Sequence, residues 1–515
     1  MKLKRTSNTL RNSLWGAVNK LITLFFPFVT RTCIIYILGN QYAGLNSLFT
    51  SILSVLSLAE LGFGNAIVYS MYKPISDNDS RVISALMNMY KRVYHIIGII
   101  VLVVGLVMLP AIPYLIKGTV PGNVNVYALY SIYLFNSVVS YWLYAYKNCL
   151  LTAFQRNDIT NNVSSIVNLV MYVFQIIFLL MFRNYYLFVA VIPISSIVIN
   201  VVTANIVDRK FPHLKAAGWP SKQVVHTIKT QVSGLFLQRL AFSTRNALDS
   251  IVISAFIGLQ MVGIYNNYFY ILTAVTGFMS LLFTSMQGGL GNSIAVESKK
   301  KNYSDFRKIN FLYVWIAAFA SIMIFVLVQP FMVLWVGKDL LFPVSIVALL
   351  AVYFYAMKMT DSIGAYIAAT GLWWKCRFVY IGETVANLVL NIILGYYFGV
   401  IGVIIATIIT VIIVDFEFSN IILHRYFFNE FDWKVVSNDD IIFFVVALLS
   451  GALTYLTCSF IPMENERNFI GILTLAIRFV ISAILPNICF WIIYHRTSLY
   501  HETINWFLPK ITNRS

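Results

Sequence analysis

Apolar residues in this chain come in long unbroken runs, with neither the strict alternation of a strand nor the half-polar stripe of a soluble helix. Fourteen runs can be marked, at residues 14–38, 44–72, 93–116, 125–146, 162–182, 185–207, 231–257, 262–287, 309–328, 342–370, 378–397, 400–424, 441–460 and 470–494. Each is close to the roughly 20 residues a helix needs to cross the hydrocarbon of a bilayer. Lipid leaves only helices and closed barrels as spanning structures, and continuous rather than alternating runs predict helices. Turn formers fall between the runs: Gly39 and Gly44, Pro113 and Pro121, Gly258 and Gly263, Pro330 and Gly337, Gly399 and Gly402. The run 231–257 is the most polar of the fourteen.

The pattern repeats. Gly39, Gln41, Gly44, Ile52 and Leu53 return as Gly258, Gln260, Gly263, Ile271 and Leu272, each 219 residues later. Gly62, Gly64, Asn65 and Ile67 return as Gly289, Gly291, Asn292 and Ile294, 227 residues later, so the second copy carries an insertion between the two matches. Both copies read G-x-Q-x-x-G, a long apolar helix, then G-x-G-N-x-I. Two similar halves running the same way through a membrane are a transporter plan. The expected organisation is an N-terminal lobe at 1–207 (spans 1–6), a linker at 208–230 with Pro212 and Pro220 as breakers, a C-terminal lobe at 231–424 (spans 7–12), and two extra spans with a tail at 425–515.

Composition agrees: 59% of the 515 residues are hydrophobic and 11% charged, against roughly 25% charged in soluble domains. The net charge of +17 would suggest nucleic acid if it were clustered on a soluble face. It is instead distributed by loop. With the N-terminus cytoplasmic, 28 of the 37 Lys and Arg fall in cytoplasmic segments, while Lys117, Arg183, Lys338 and Arg467 fall on the other side and five lie within spans. This bias places both termini in the cytoplasm. The basic start before residue 14 is followed by a run too long for a signal-peptide core and by no A-x-A site, so the first helix is expected to stay in the membrane. The five cysteines are scattered and the six histidines form no H-E-x-x-H pair, so neither a disulfide framework nor a metal site is implied. No P-loop occurs, which argues against an ATP-driven pump of that kind. Nor is there a large external loop or an acid cluster for sugar-transfer chemistry.

Candidate chemistry lies inside the bilayer, where a charged side chain costs about 2.5–3.5 kcal/mol and faces a cavity or a partner. Basic residues in spans are Arg31, Arg239, Arg245, Lys358 and Arg478; acidic ones are Glu60, Asp249, Asp361, Glu383, Asp415 and Glu417. On span seven, Gln231, Gln238 and Arg245 recur every seven residues on one face, and Arg239, Ser243 and Asn246 widen that stripe. Asp249, four after Arg245, can pair with it. Such a helix lines a wet cavity, packs on polar groups, or lies in the interface. Arg31 in span one lies about 10 Å of helix from Leu38, so it either points inward or reaches strained toward the outer headgroups. Lys358 and Asp361 can form an internal pair. Glu60 aligns with Gln287, which predicts an interhelical hydrogen bond at the close of the repeat, with proton coupling as the alternative. Glu383, Glu417 and Arg478, nearer span ends, are read as structural. The tyrosines around span four suit interfacial belts.

The stretch YILGNQYAGLNSLFTSILSVLSLAELGFGNAIVYSMYKPI with the following LMNMYKRVYHIIG resembles bacterial polysaccharide-biosynthesis membrane proteins of the Wzx type, in the multidrug/oligosaccharidyl-lipid/polysaccharide (MOP) exporter superfamily. The resemblance is specific over residues 36–98 and extends to the whole chain in span count. It implies an all-α polytopic fold of two six-helix, MATE-like lobes plus two C-terminal helices, in the bacterial inner membrane. The implied function is flipping an undecaprenyl-diphosphate-linked oligosaccharide for cell-surface polysaccharide synthesis, without enzymatic activity or a bound cofactor. Coupling to H+, to Na+ or to the membrane potential stays open. The implied partners are the lipid-linked oligosaccharide, membrane lipids, a polysaccharide polymerase and glycosyltransferases, and no nucleic acid. Cationic cavity residues expected in the family fall here to Arg31, Arg239 and Arg245, with Gln238 and Lys358 beside them; Asp249, Asp361 and Glu60 are the ion-coupling candidates. The competing readings are a cation-coupled multidrug exporter, which an acidic cavity would favour, and a membrane-embedded sugar-transfer enzyme.

The charge bias generates a direct test. Reporter fusions at Lys222 and Lys338 are expected to report opposite sides of the membrane, and same-side signals would overturn the fourteen-span topology.

Overall fold

The computed structural model describes residues 5–57, 63–461 and 469–512. Among these the regular structure is entirely helical. By contacts the chain forms two compact units, Met1–Gly263 and Ile264–Ser515. The first holds α1 (Arg5–Ile37), α2 (Asn40–Leu56), α3 (Phe63–Ser76), α4 (Ser80–Met108), α5 (Val126–Trp142), the short α6 (Asn148–Ala153), α7 (Asn157–Phe182), α8 (Tyr185–Lys210) and α9 (Lys222–Phe256). The division falls in the second turn of α10 (Leu259–Val296). The second unit continues with α11 (Lys299–Val336), α12 (Val344–Met359), α13 (Asp361–Thr370), α14 (Arg377–Ile409), a π-helical segment at Thr410–Glu417, α15 (Phe418–Tyr426), α16 (Trp433–Ser459), α17 (Phe469–Tyr494) and α18 (Ser498–Thr512). α9 thus belongs with the first unit, although the sequence repeat places it at the head of the second copy.

Nine helical stretches among the described residues are long and apolar enough to cross a membrane. One of them, Arg377–Tyr426, contains two predicted spans, 378–397 and 400–424. The remaining four predicted spans fall on α2 with α3, on α5, on α9 and on α10. The chain is an all-α polytopic membrane protein.

Several helices begin well before their apolar runs, because capping residues set the start of a helix and hydropathy does not. The Asp79 side chain accepts from Val82 N at 3.0 Å and starts α4 at Ser80, not near residue 93. Ser221 caps α9 through Val224 N, and Ser298 caps α11 through Lys301 N. The predicted linker therefore shortens to the non-helical stretch from Phe211 to Ser221. That stretch is held on α4: Asn88 Nδ2 donates to Gly218 O at 2.6 Å, and the Arg92 guanidinium stacks over the Trp219 ring.

In the first unit α1 packs along α7, α7 on α8, α8 on α5 and α5 on α4, while α2 packs on α9. Polar side chains stitch α1 to the elements around it, with Asn12 donating to Gln155 O at 3.1 Å and Asn19 to Ser165 Oγ at 3.2 Å. In the second unit α11 is the hub, touching α12, α13, α16, α17 and α18. Outward faces are apolar: Leu180, Leu449 and Ile472 are each more than 60% exposed. Arg31, Arg245, Asp249, Lys358 and Arg478, which lie within spans, are buried, as charges in a protein whose solvent is lipid tend to be.

Gly399 interrupts α14 with φ 61° and ψ −137°. The chain reverses there, since Asn387 Nδ2 before it reaches Thr407 Oγ1 after it at 3.0 Å. Gly402 completes the reversal, because a Cβ on it would lie 1.9 Å from Leu394 O. Gly402→Ala is expected to lower the melting temperature of the purified protein by the equivalent of about 1–3 kcal/mol of overpacking. Gly122→Ala, where a Cβ would meet nothing within 4 Å, should leave the melting curve in place.

Candidate functional site

The two copies of the glycine motif have the same local structure. Leu38 N and Gly39 N both bond to Ile34 O, and Ile257 N and Gly258 N both bond to Ile253 O. Gly39 and Gly258 have φ of 108° and 124°, a region that disfavours side chains and ends the preceding helix. The shared spacing of Gly, Gln and Gly in the sequence is therefore a repeated helix–turn–helix.

The two copies also meet. A Cβ on Gly44 would lie 2.1 Å from Leu259 O, and a Cβ on Gly263 would lie 2.5 Å from the Asn40 side chain. Asn40 Nδ2 donates to Gln260 O at 2.8 Å. Arg31, 9% exposed, donates from Nη1 to Ser47 Oγ at 3.2 Å and from Nη2 to Gly263 O at 3.0 Å. Its head is thus turned inward at the crossing rather than toward the headgroups. A cluster of phenols lies in the same unit: Tyr133 bonds to Asn46, and Tyr185 OH donates to Tyr42 O at 3.3 Å. Lys117 bonds the end of α9 through Nζ to Phe256 O at 2.6 Å, a cation at the negative end of a helix.

On α9, Arg245 and Asp249 are 4% and 0% exposed, one turn apart. Gln238 is half-buried and Arg239 exposed, so the polar stripe is not uniformly buried. The side chains of Gln231 and Asn246, the whole of Glu60 and the side chain of Gln287 lie outside the described residues, and with them the predicted bond at the close of the repeat.

In the second unit Lys358 Nζ meets Asp361 Oδ2 at 2.7 Å, and Tyr313 OH donates to the same oxygen at 3.0 Å. The pair bridges the end of α12 and the start of α13. Two groups of amides and hydroxyls were not among the sequence candidates. Asn387, Asn391, Thr407 and Thr410 are all buried in the α14 reversal, beside Glu383 and the π-helical segment, with Asn391 Nδ2 donating to Asn387 Oδ1 at 3.0 Å. Asn310 bonds Asp440 and Ser362, linking α11, α16 and α13. The available signal was two asparagines four apart inside an apolar run, which a search for charges alone passes over. No group of His, Cys, Asp and Glu able to hold a metal occurs among the described residues.

These features define a polytopic transporter fold: glycine-paired helix turns, lipid-facing apolar walls and charges held inside. The structure resembles the lipid II flippase MurJ in its inward closed conformation, with a TM-score of 0.66, 14% identity, and coverage of 94% of this chain and 99% of that one. It also resembles an inward-facing multidrug resistance MATE family transporter of the MOP superfamily (TM-score 0.59, 16% identity, covering 80% and 97%). Residues 9–287 match the polysaccharide biosynthesis protein family, and the chain belongs to that family. A protein of Yersinia pseudotuberculosis described as an O-antigen export protein is 23% identical over 390 residues, 70% of this chain and 82% of its own length.

The Lys358–Asp361 pair yields a test of its role. Asp361→Asn leaves Lys358 buried beside a neutral group and is expected to cost about 1–3 kcal/mol in a thermal melt. If the pair is structural, Lys358→Met with Asp361→Leu restores both stability and transport; transport lost from a stable double variant would give the pair a role in transport, Lys358 toward substrate or Asp361 toward coupling.

Proposed function

We propose that this protein flips an undecaprenyl-diphosphate-linked oligosaccharide across the bacterial inner membrane, toward cell-surface polysaccharide synthesis, with both termini in the cytoplasm. It is a transporter, not an enzyme. The family match supports the substrate class, and the observation that carries the reading is the pair of arginines buried in the helices that precede the two glycine turns, Arg31 on α1 and Arg245 on α9. A diphosphate cannot enter hydrocarbon unaided, and arginine offers an always-charged fork of donors that matches phosphate oxygens. The multidrug alternative calls for cation-binding acids. The buried arginines favour an anionic headgroup.

The geometry of Arg31 also supplies a way for substrate to act on the protein. Its Nη1 and Nη2 donate to Ser47 and to Gly263 O. A diphosphate can take the other N–H donors of the guanidinium or displace these two. Where the headgroup displaces these two bonds, its binding and the closed glycine crossing oppose one another, and the substrate then favours the state in which the crossing has parted. Arg239 and Gln238 serve the same headgroup or its sugars in this reading, and Lys358, in the second unit, is a further substrate-binding candidate. Asp249, Asp361 and Glu60 are the carboxylates assigned to coupling, whether to H+, to Na+ or to the membrane potential.

Arg→Ala removes both charge and fork; Arg→Lys keeps only charge. Arg31→Ala and Arg245→Ala are expected to abolish glycan export at normal protein levels, and the Lys variants to retain part of it. Normal export from both Ala variants would remove these residues from the binding site. Lost export together with lost protein would assign them to folding.

A further inference from the structure

A set of buried polar atoms without hydrogen-bond partners gathers inside the second unit. Asp440, on α16, is 3% exposed. Its Oδ1 accepts from Asn310 Nδ2 at 2.8 Å, and Asn310 Oδ1 accepts from Ser362 Oγ at 2.5 Å. Ser362 follows Asp361, so a polar chain runs from the Lys358–Asp361 pair to Asp440. The other oxygen, Asp440 Oδ2, is buried and has no hydrogen-bond partner among the described residues. The same holds for Tyr494 OH, Tyr355 OH and Arg307 Nε. Asp440, Tyr494 and Arg307 line one cavity of about 310 Å³, with Asp439, Asn310 and Thr497 also in its wall.

A carboxylate oxygen in this position has no donor, while two phenols near it have no bonded partner. Tyr355 and Tyr494 are both close enough to Asp440 to interact with it electrostatically. A proton on Oδ2 would convert that oxygen into a donor, for which phenol oxygens are competent acceptors. We propose that Asp440 is a proton-binding site, reached through this cavity and joined by Asn310 and Ser362 to the Lys358–Asp361 pair. The charged and titratable groups facing it are Arg307 from α11, Tyr355 from α12, Tyr494 from α17, Glu417 from the π-helical segment and Asp439 on its own helix. Arg307 and Asp439 are already paired at 2.7 Å, and Glu417 accepts from Ser437 at 3.0 Å. Asp440 is the acid of the group with an oxygen both buried and unpartnered. Its coupling does not require proton hopping through Asn310. A change at Oδ2 alters how strongly Oδ1 accepts from Asn310, and Asn310 in turn holds Ser362 at the head of α13. The assignment is independent of the substrate proposed above.

The test is infrared difference spectroscopy of the full-length protein in lipid nanodiscs, titrated with pH and without substrate. The wild-type protein is expected to show a carboxylic-acid C=O band that is lost as pH rises. That band should be absent from Asp440→Asn and kept in Asp439→Asn. A band unchanged in Asp440→Asn would overturn the assignment. So would a band in the wild type that Na+ abolishes at constant pH, which would make this a metal-cation site. If Asp440→Asn cannot be purified, Tyr494→Phe provides the second measurement: removing the hydroxyl should shift the band, and an unmoved band would count against the proposal. Asn310→Leu should shift the pH midpoint of the band, and an unchanged midpoint would sever the link to Ser362.

Discussion

Two helices approach so closely at Gly44 and Gly263 that neither position has room for a methyl group. Much of the first unit depends on that contact. It brings the turn after α1 against the turn after α9, places Asn40 within reach of Gln260 O, and sets Gly263 O where Arg31 can donate to it. In lipid, apolar side chains gain little by associating, so close backbone packing and buried hydrogen bonds carry more of the helix–helix attraction. Here both act at one place. The arginine is held at a crossing whose tightness depends on the absence of side chains, and its charge is shared with a carbonyl of the motif that makes the crossing possible.

The same constraint explains where polarity is found. Faces that meet lipid are apolar, so polar side chains must satisfy one another inside. They do so in short chains rather than isolated pairs: Lys358, Asp361 and Tyr313; Ser362, Asn310 and Asp440; Asn391, Asn387 and Thr407. The first two chains tie together helices that lie apart in sequence and the third ties the two halves of α14 across Gly399; each fixes a rotation that apolar packing alone leaves loosely specified. Such chains can also respond to a ligand, because a change at one end redistributes the hydrogen bonds along it.

Much of this was legible in the sequence. Run length and continuity marked the spans, and the spacing of Gly39, Gln41 and Gly44 against Gly258, Gln260 and Gly263 marked a repeated turn whose two copies share positive φ at the first glycine. That the copies touch was not legible, since a repeat shows likeness and not proximity. Helix starts at Ser80, Lys222 and Lys299 were missed because a hydropathy run reports where lipid begins, while Asp79, Ser221 and Ser298 report where the helix begins. Lys358 and Asp361 pair as their spacing allowed. Asn310, Asn387 and Asp440 were passed over, because attention to formal charge inside the runs ignores amides and the first residue beyond a run's edge.

The π-helical segment at Thr410–Glu417 has a consequence for how the chain can be aligned and altered. A wider turn accommodates about one extra residue per bulge, and each residue rotates an α-helix by about 100°. Everything after the segment is therefore out of phase with what precedes it. Asp415 and the face of α15 that follows are aimed by this offset as much as by their own identities. In this part of the protein, shortening the chain by one residue is a larger change than replacing any one of several side chains: it re-aims the whole of α15.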